Sequence, residues 1–251
     1  MKALEWVLDL LFPPKCPFCA RVLDRPGVCA ACEAALPWTG ESASLWELPG
    51  GLRCAAPLWY RDSVRQALLR LKFQGAAGTA DPLGGLIAQC AAERLSGAFD
   101  TVTWVPVSQR RRRKRGYDQA ELLARAACRR WDSRPVKLLE KIRDNSAQSG
   151  LTGRDARWEN VRDVYRAAEP EAVEGRRILL VDDVCTTGAT LCACAAVLRR
   201  AGAAEVVCAA AARTEKPFDQ IPALFGEKGL QFGKRMGLQS TETASIIEFT
   251  L

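Results

Sequence analysis

Histidine is absent from this chain of 251 residues. An enzyme built on it therefore has no imidazole base, and any zinc ion must be held by cysteine. No apolar run is long enough to span a bilayer. Glu5 and Asp9 interrupt the apolar opening and no small-residue cleavage site follows it, so we expect no secretory signal. The expected location is the cytoplasm, where thiols stay reduced.

Net positive charge is almost absent outside one segment. The net charge is +7, and the run Arg110-Arg111-Arg112-Arg113-Lys114-Arg115 carries six positive charges by itself. The rest of the chain is therefore almost neutral, and the run indicates a local site for an anionic partner, either pyrophosphate or nucleic acid. A solvated basic surface without any ligand is the alternative interpretation.

The length and the apolar fraction of 48% predict one complete core with a small appended module. We expect residues 1–45 to hold a short amphipathic helix and a cysteine-rich element. Residues 46–214 should form an α/β body. Residues 215–251 mix polar and small residues, and we expect them to be a poorly ordered extension.

Strand and helix patterns alternate through the body. Strands are predicted at 101–107, 136–142, 177–184 and 205–212, and helices at 63–73, 82–95, 119–130 and 190–201. This alternation is typical of a doubly wound fold, in which helices flank a parallel sheet. The polar stretch 143–174 has little periodicity, which indicates either a functional loop or an ordinary exposed connection.

A buried strand runs directly into two adjacent carboxylates. The apolar segment 178–181 is followed by Asp182 and Asp183. Adjacent like charges are costly to bury unless polar or cationic groups receive them, and open α/β sheets place ligands at this end of their strands. The hydroxyls of a ribose, with a magnesium ion nearby, would satisfy both side chains.

Small and hydroxyl-bearing residues follow the acidic pair where a helix is predicted to start, namely Thr186, Thr187, Gly188, Ala189 and Thr190. Backbone N–H groups at such a turn hold a phosphate with the help of the helix dipole, and the glycine permits close approach. A capped turn without ligand is the alternative. The Gly-Lys-Ser/Thr triplet of a Walker A loop is missing, which disfavours a nucleoside triphosphatase.

Four cysteines near the start of the chain have the spacing C-x2-C-x9-C-x2-C, namely Cys16, Cys19, Cys29 and Cys32. Two such turns direct four thiolates at one tetrahedral zinc ion, which predicts a zinc ribbon or knuckle. Because all four positions are filled, the metal should be structural. The remaining cysteines lie in apolar patterns and are expected to be buried small residues, namely Cys54, Cys90, Cys128, Cys185, Cys192, Cys194 and Cys208.

The segment 178–190 resembles the signature with which type I phosphoribosyltransferases bind phosphoribosyl pyrophosphate (PRPP). The resemblance implies that Asp182 and Asp183 hold the ribose hydroxyls, that residues 186–190 hold the 5-phosphate, and that magnesium accompanies PRPP. It also implies that the loop after the first core strand contacts pyrophosphate through Arg111 and Arg115, with Lys72 in support. Arginine suits this role because its planar fork binds two phosphoryl oxygens at once.

Further motifs are similar to those of the ComF (competence protein F) family over about residues 1–214. They are Leu71-Lys72-Phe73 with Gly75, Arg115-Gly116-Tyr117-x-Gln119, Gln148-x-x-Leu151-Thr152 and Arg157-x-x-Asn160-Val161. The resemblance implies that Gln148, Arg157 and Asn160 belong to a mobile loop that covers the site. Asp118 stands where the family usually has asparagine.

Two functions remain open at this point. One is an enzyme that transfers the phosphoribosyl group of PRPP to an acceptor that the sequence does not identify. The other is a non-catalytic PRPP sensor that handles single-stranded DNA through Arg110–Arg115, with proteins of the competence machinery as partners. A zinc-bearing adaptor without a PRPP site is a third alternative. No aromatic residues interrupt the basic run to mark a base-stacking platform.

Overall fold

A computed structural model describes residues 13–25, 27–143 and 164–215 of the chain. Its strands are β1 (Leu45–Leu48), β2 (Leu52–Ala55), β3 (Leu58–Trp59), β4 (Thr101–Trp104), β5 (Leu139–Lys141), β6 (Tyr165–Ala167), β7 (Arg177–Cys185) and β8 (Glu205–Arg213). Its α-helices are α1 (Ala30–Ala35), α2 (Gly40–Ala43), α3 (Asp62–Phe73), α4 (Ala80–Arg94), α5 (Gln109–Arg115), α6 (Gln119–Arg129) and α7 (Ala189–Arg200).

The strands form one six-stranded sheet and one separate hairpin. In the sheet the order is β1-β2-β8-β7-β4, and β3 continues along β8 beyond β2. All pairings in this sheet are parallel except that of β1 with β2 at one edge. The hairpin consists of β5 and β6. The predicted parallel sheet is confirmed, with one antiparallel edge that the sequence patterns did not reveal.

The central strand β7 is covered on both faces, which explains its uninterrupted apolar sequence. Successive side chains of a strand point to opposite faces. Leu179 and Val181 belong to a core that includes residues of α3, α4 and α6. Ile178 and Leu180 belong to a second core, which includes residues of α7 and of the β5–β6 hairpin. Helices therefore flank the sheet on both sides, as the alternating patterns predicted.

The predicted strands at 101–107, 177–184 and 205–212 are found as β4, β7 and β8, and the four predicted helices as α3, α4, α6 and α7. The strand predicted at 136–142 is shorter than expected. Only Leu139–Lys141 forms a strand, and it pairs with β6 outside the main sheet. Of the stretch 143–174 the structure describes residue 143 and residues 164–174, and the latter form β6 and the 3₁₀ turn Pro170–Ala172.

All seven cysteines outside the cysteine-rich head are buried, as predicted. The opening helix, the loop residues Gln148, Arg157 and Asn160, and residues 216–251 lie outside the described residues. In the part of the chain that the structure describes, every helix is too short or too polar to cross a lipid bilayer.

Candidate functional site

The acidic pair lies at the edge of the sheet where β4 ends. Trp104, the last residue of β4, is paired with Val181, and the Val105 N–H donates to the Val181 carbonyl at 2.9 Å. Asp182 and Asp183 come next on β7, which continues to Cys185. The carboxylates are therefore part of the strand and do not follow it. They lie where the neighbouring strand has stopped, which leaves room for a ligand.

The two carboxylates point to different faces of the sheet. Asp183 continues the row of Leu179 and Val181, and the Nζ atom of Lys72 on α3 lies 2.9 Å from its Oδ2 atom. Asp182 continues the other row, on the side of α7 and of Tyr165 in β6. Burial first, and the neighbouring Cys194 and Asp182 second, raise the pKa of Tyr165 well above its usual value.

The surroundings of these groups set their protonation. Burial lowers the pKa of Lys72, but the charges of Asp183 and Asp182 outweigh burial and the net pKa is raised. Burial and the charge of Asp183 raise the pKa of Asp182 to about 8, although Lys72 and the Asp183 N–H, which donates to Asp182 Oδ1 at 2.8 Å, act against this. The site therefore holds a Lys72–Asp183 ion pair, and its burial and charge favour the protonated form of Asp182.

The turn after β7 has the shape expected of a phosphate loop. Gly188 has a φ of 72°, and a Cβ atom there would lie 2.4 Å from Leu48 Cδ2, so no other residue fits without strain. Helix α7 begins directly afterwards at Ala189, whose N–H donates a hydrogen bond to Thr187 Oγ1 at 3.4 Å. The first turn of a helix presents unpaired N–H groups. This turn therefore presents backbone donors and hydroxyls close to the acidic pair in the chain.

The arginine run is a helix and not the loop that was expected. Helix α5 begins after Ser108, whose Oγ accepts from the Arg111 N–H at 3.3 Å. It ends at Arg115 and is capped by Gly116, which has a φ of 81°. Arg111 and Arg115 lie one turn apart on one face and are half-buried, whereas the other four cations of the run are exposed. Burial and the charge of Arg111 lower the pKa of Arg115, and Asp183 opposes this. Arg111, Arg115 and the acidic pair thus share one electrostatic neighbourhood.

Asp118 and Tyr117 position this helix, and the sequence analysis missed both roles. Asp118 Oδ2 accepts from the Val107 N–H at 2.8 Å, and its Oδ1 accepts from Ala120 at 3.1 Å and Glu121 at 3.3 Å. The carboxylate therefore joins the chain before α5 to the first turn of α6. The Tyr117 hydroxyl donates to the Leu71 carbonyl at 2.5 Å, next to Lys72. An aspartate directly before a helical pattern is the sequence signal that indicates such a cap.

The cysteine head has the geometry of a zinc site. The four sulfur atoms of Cys16, Cys19, Cys29 and Cys32 lie within 4.8 Å of one another, and those of Cys19 and Cys29 are 3.7 Å apart. Sulfurs at about 2.3 Å from a tetrahedral zinc ion are separated by about 3.8 Å, so the set fits. Burial raises the pKa of Cys16, but N–H groups of Cys29, Cys19 and Phe18 outweigh burial and lower it to about 6. The head is suited to structural zinc.

The head is attached to the helix that carries Lys72. The Arg70 guanidinium on α3 donates to the carbonyls of Pro17 at 2.6 Å and Phe18 at 2.9 Å. Cys16 and Phe18 are almost fully buried in the core that also contains residues of α3. The position of α3, and with it that of Lys72, therefore depends partly on the folded head.

Comparisons with known proteins agree with both parts of the chain. Residues 114–231 match the family model of the phosphoribosyl transferase domain, and residues 7–44 match that of the double zinc ribbon domain. The DNA utilization protein YhgH of Escherichia coli O6:H1 is 32% identical over 224 residues, which cover 78% of this chain and 96% of that protein. Competence protein F of Haemophilus influenzae is 34% identical over 104 residues, 41% of this chain and 45% of that protein.

Among solved structures, glutamine PRPP amidotransferase from Bacillus subtilis, complexed with ADP and GMP, is similar with 26% identity and a TM-score of 0.37. The match covers 53% of this chain and about a quarter of that one, 26%. Residues 7–44 contain four cysteines and no histidine, enough for one zinc site of this kind. From its phosphoribosyltransferase fold, its cysteine head and its extended similarity to YhgH, the chain belongs to the ComF family of competence and DNA-utilization proteins.

Proposed function

We propose that the chain binds PRPP with magnesium at the acidic pair and transfers the phosphoribosyl group to an acceptor. The observation that supports this most directly is the convergence of three kinds of group at one sheet edge. Carboxylates suit the ribose hydroxyls, the Gly188 turn suits the 5-phosphate, and the cations Lys72, Arg111 and Arg115 suit the pyrophosphate.

In this proposal Asp182 and Asp183 accept hydrogen bonds from the two ribose hydroxyls. The N–H groups at the start of α7 and the hydroxyls of Thr186, Thr187 and Thr190 hold the 5-phosphate. Bound magnesium would neutralise charge on the leaving pyrophosphate through carboxylate and phosphate oxygens.

In the transfer step the bond from the sugar C1 atom to pyrophosphate breaks, and its electron pair leaves with the pyrophosphate oxygen. A lone pair of the acceptor forms the new bond to C1, and the proton that the acceptor loses passes to solvent. The chain has no histidine base. Its contribution is therefore positioning and electrostatic stabilisation.

Isothermal titration with PRPP and MgCl₂ tests the binding step. We expect saturable binding that Asp182→Asn weakens at least about tenfold, or about 1.4 kcal/mol. Asp132→Asn is the matched control, because Asp132 is exposed and has a φ of 48°, a conformation that asparagine adopts readily. Absence of saturable binding, or equal affinity of both variants, would contradict the proposal.

Turnover needs a separate assay. PRPP, magnesium and the zinc-loaded chain are incubated with a panel of bases, amines and nucleic acids, and released pyrophosphate is measured. Release that depends on one acceptor class supports a transferase. Saturable PRPP binding without release in any reaction supports the second candidate instead.

The second candidate is a PRPP sensor that handles single-stranded DNA in bacterial competence, with competence-machinery proteins as partners. It is favoured by Arg110, Arg112, Arg113 and Lys114, which are exposed and exceed what one pyrophosphate requires. The names of the relatives point to the same setting. DNA binding that survives Asp182→Asn and disappears when the cations of α5 are neutralised would support it. Saturable PRPP binding by itself would rule out a purely structural adaptor.

A further inference from the structure

Phe73, the last residue of α3, is 67% exposed. A single apolar side chain on a protein surface is common and needs no explanation by itself. A cation lies over this one, since the Cζ atom of Arg115 is 5.0 Å from the centre of the ring. The two side chains come from different elements, α3 and α5, so the tertiary fold brings them together.

The surroundings of Arg115 give the ring a role. Arg111 lies one turn earlier on α5, and like charges at this spacing repel each other. Burial and the charge of Arg111 lower the pKa of Arg115, against the attraction of Asp183. In the described residues 13–25, 27–143 and 164–215, no carboxylate oxygen lies within 4 Å of its guanidinium nitrogens. The negatively polarised face of the Phe73 ring therefore supplies a contact that no carboxylate of these residues supplies.

The end of α3 is fixed by contacts at three consecutive residues. The Leu71 carbonyl accepts from the Tyr117 hydroxyl at 2.5 Å, just after α5. Lys72 follows, with its Nζ atom 2.9 Å from Asp183 Oδ2. Phe73 comes third and contacts the arginine. The short motif 71–73 therefore organises one acidic and one basic side chain of the proposed site.

A guanidinium can bind an aromatic ring and a phosphate at the same time. It stacks on a ring with its flat face, whereas its N–H groups lie in the guanidinium plane and point outwards. A contact with Phe73 therefore leaves the N–H groups of Arg115 free for phosphoryl oxygens. A carboxylate partner would occupy the same N–H groups, and that ion pair would have to break before pyrophosphate could bind.

We propose that Phe73 is a positioning residue for pyrophosphate, whose ring holds the Arg115 guanidinium where the pyrophosphate of PRPP binds. The inference rests on the proposed PRPP site and adds a residue that acts on one part of that ligand. An arginine already held by the ring loses less rotamer freedom on binding. Ribose 5-phosphate has the same ribose hydroxyls and 5-phosphate but no pyrophosphate. Part of the preference for PRPP over ribose 5-phosphate should therefore depend on the ring.

Isothermal titration of Phe73→Leu with PRPP, magnesium pyrophosphate and ribose 5-phosphate, all in MgCl₂, tests the role of the ring. Leucine keeps apolar bulk and removes the ring. We expect the affinities for PRPP and for pyrophosphate each to fall about fivefold, the size of a cation–π contact at an exposed site. The affinity for ribose 5-phosphate should change less than about twofold, because that ligand does not reach Arg115.

Phe73→Tyr is the matched control, because it retains the ring. It should restore the affinity for PRPP to within about twofold of the unchanged chain. The side chain is exposed, so both variants should fold, which a thermal melt verifies. An equal loss of affinity in Phe73→Tyr, or an equal loss for ribose 5-phosphate, would assign the effect to α3 as a whole and overturn the inference.

A double-mutant cycle with Arg115→Gln separates a role through the arginine from any other role of the ring. In the Arg115→Gln background, Phe73→Leu should change the affinity for PRPP by less than about 1.5-fold. The same fivefold loss in that background would overturn the inference. Unchanged affinity of Phe73→Leu for PRPP would refute this inference alone, whereas absence of PRPP binding by the unchanged chain would refute the proposed function and this inference together.

Discussion

Asp182 and Asp183 are neighbours in the chain but occupy different environments, because a strand directs successive side chains to opposite faces. Asp183 forms an ion pair with Lys72 at 2.9 Å. Burial and the nearby Asp183 charge both disfavour the charged form of Asp182 and raise its pKa. Asp183 is therefore engaged by a cation, whereas the protonated form of Asp182 is favoured and would have to lose its proton to accept two ligand hydrogen bonds.

This difference predicts a pH dependence of PRPP binding. The pKa of Asp182 is raised to about 8 in the free site, so the carboxylate needed for the ligand is scarce at pH 6.5 and abundant at pH 8.5. Affinity for PRPP with magnesium should rise about 25-fold across this interval, with release of close to one proton at pH 6.5 and roughly a quarter of a proton at pH 8.5. Titration calorimetry in two buffers of different ionisation enthalpy measures the proton. The dependence should vanish in Asp182→Asn, and an affinity independent of pH in the unchanged chain would contradict the assignment.

Gly188 is predicted to be essential for the stability of the loop. An alanine there would be strained at a φ of 72° and would collide with Leu48, so Gly188→Ala should lower the free energy of unfolding by roughly 2–5 kcal/mol. Gly175→Ala is the matched control, because its φ is 69° but nothing lies within 4 Å of the added carbon. Urea unfolding should show the control losing only about 1–2 kcal/mol. Equal losses would mean that Leu48 is not the obstacle.

At the scale of elements, the position of α5 depends on Asp118. Its two carboxylate oxygens accept from backbone groups on both sides of the helix. In Asp118→Asn an amide nitrogen, which cannot accept a hydrogen bond, replaces one carboxylate oxygen. Either the Val107 N–H or the N–H groups of Ala120 and Glu121 then lose their acceptor. We expect the free energy of unfolding to fall by about 1–2 kcal/mol, with Asp132→Asn unchanged. An unchanged midpoint of urea unfolding for Asp118→Asn would show that the carboxylate is dispensable.

The cysteine head and α3 are also linked, through hydrogen bonds from Arg70. Cys19→Ser should remove the metal and loosen the Pro17 and Phe18 carbonyls that Arg70 holds. We expect about one zinc ion per unchanged chain and a lower zinc content in Cys19→Ser. The melting temperature should fall by several degrees, since a loss of 1 kcal/mol lowers it by about 2–4 °C in a chain of this size. Affinity for PRPP should weaken less than about tenfold, since Lys72 is displaced but retained. A colorimetric zinc assay and a thermal melt measure these outcomes, and two zinc ions per chain would contradict the single site.

At the scale of the whole molecule, the layering of helices on both faces of a parallel sheet follows from patterns that are visible in the sequence. The apolar strand at 177–184 and the helices at 119–130 and 190–201 predicted a central parallel strand covered on both faces, which the two cores confirm. The strands at 45–59 were not predicted. Each is short, and although β1 pairs with the adjacent β2, the partner of β2 and β3 in the main sheet lies far along the chain at β8. The sequence predicted a strand at 136–142 but not its partner, because β6, with which Leu139–Lys141 pairs, lies more than twenty residues further along the chain.

By itself the sequence determined the chemistry that is local in the chain. The cysteine spacing, the acids at the end of an apolar strand and the small residues after them all act within one turn or strand, where geometry follows from residue order. Only the tertiary structure decided which groups meet. Asp183 pairs with Lys72, Asp118 joins the segments on either side of α5, and Arg110 and Arg166 line one cavity. These pairings depend on distant segments packing together, and the burial and charge that result belong to the fold and not to any one segment.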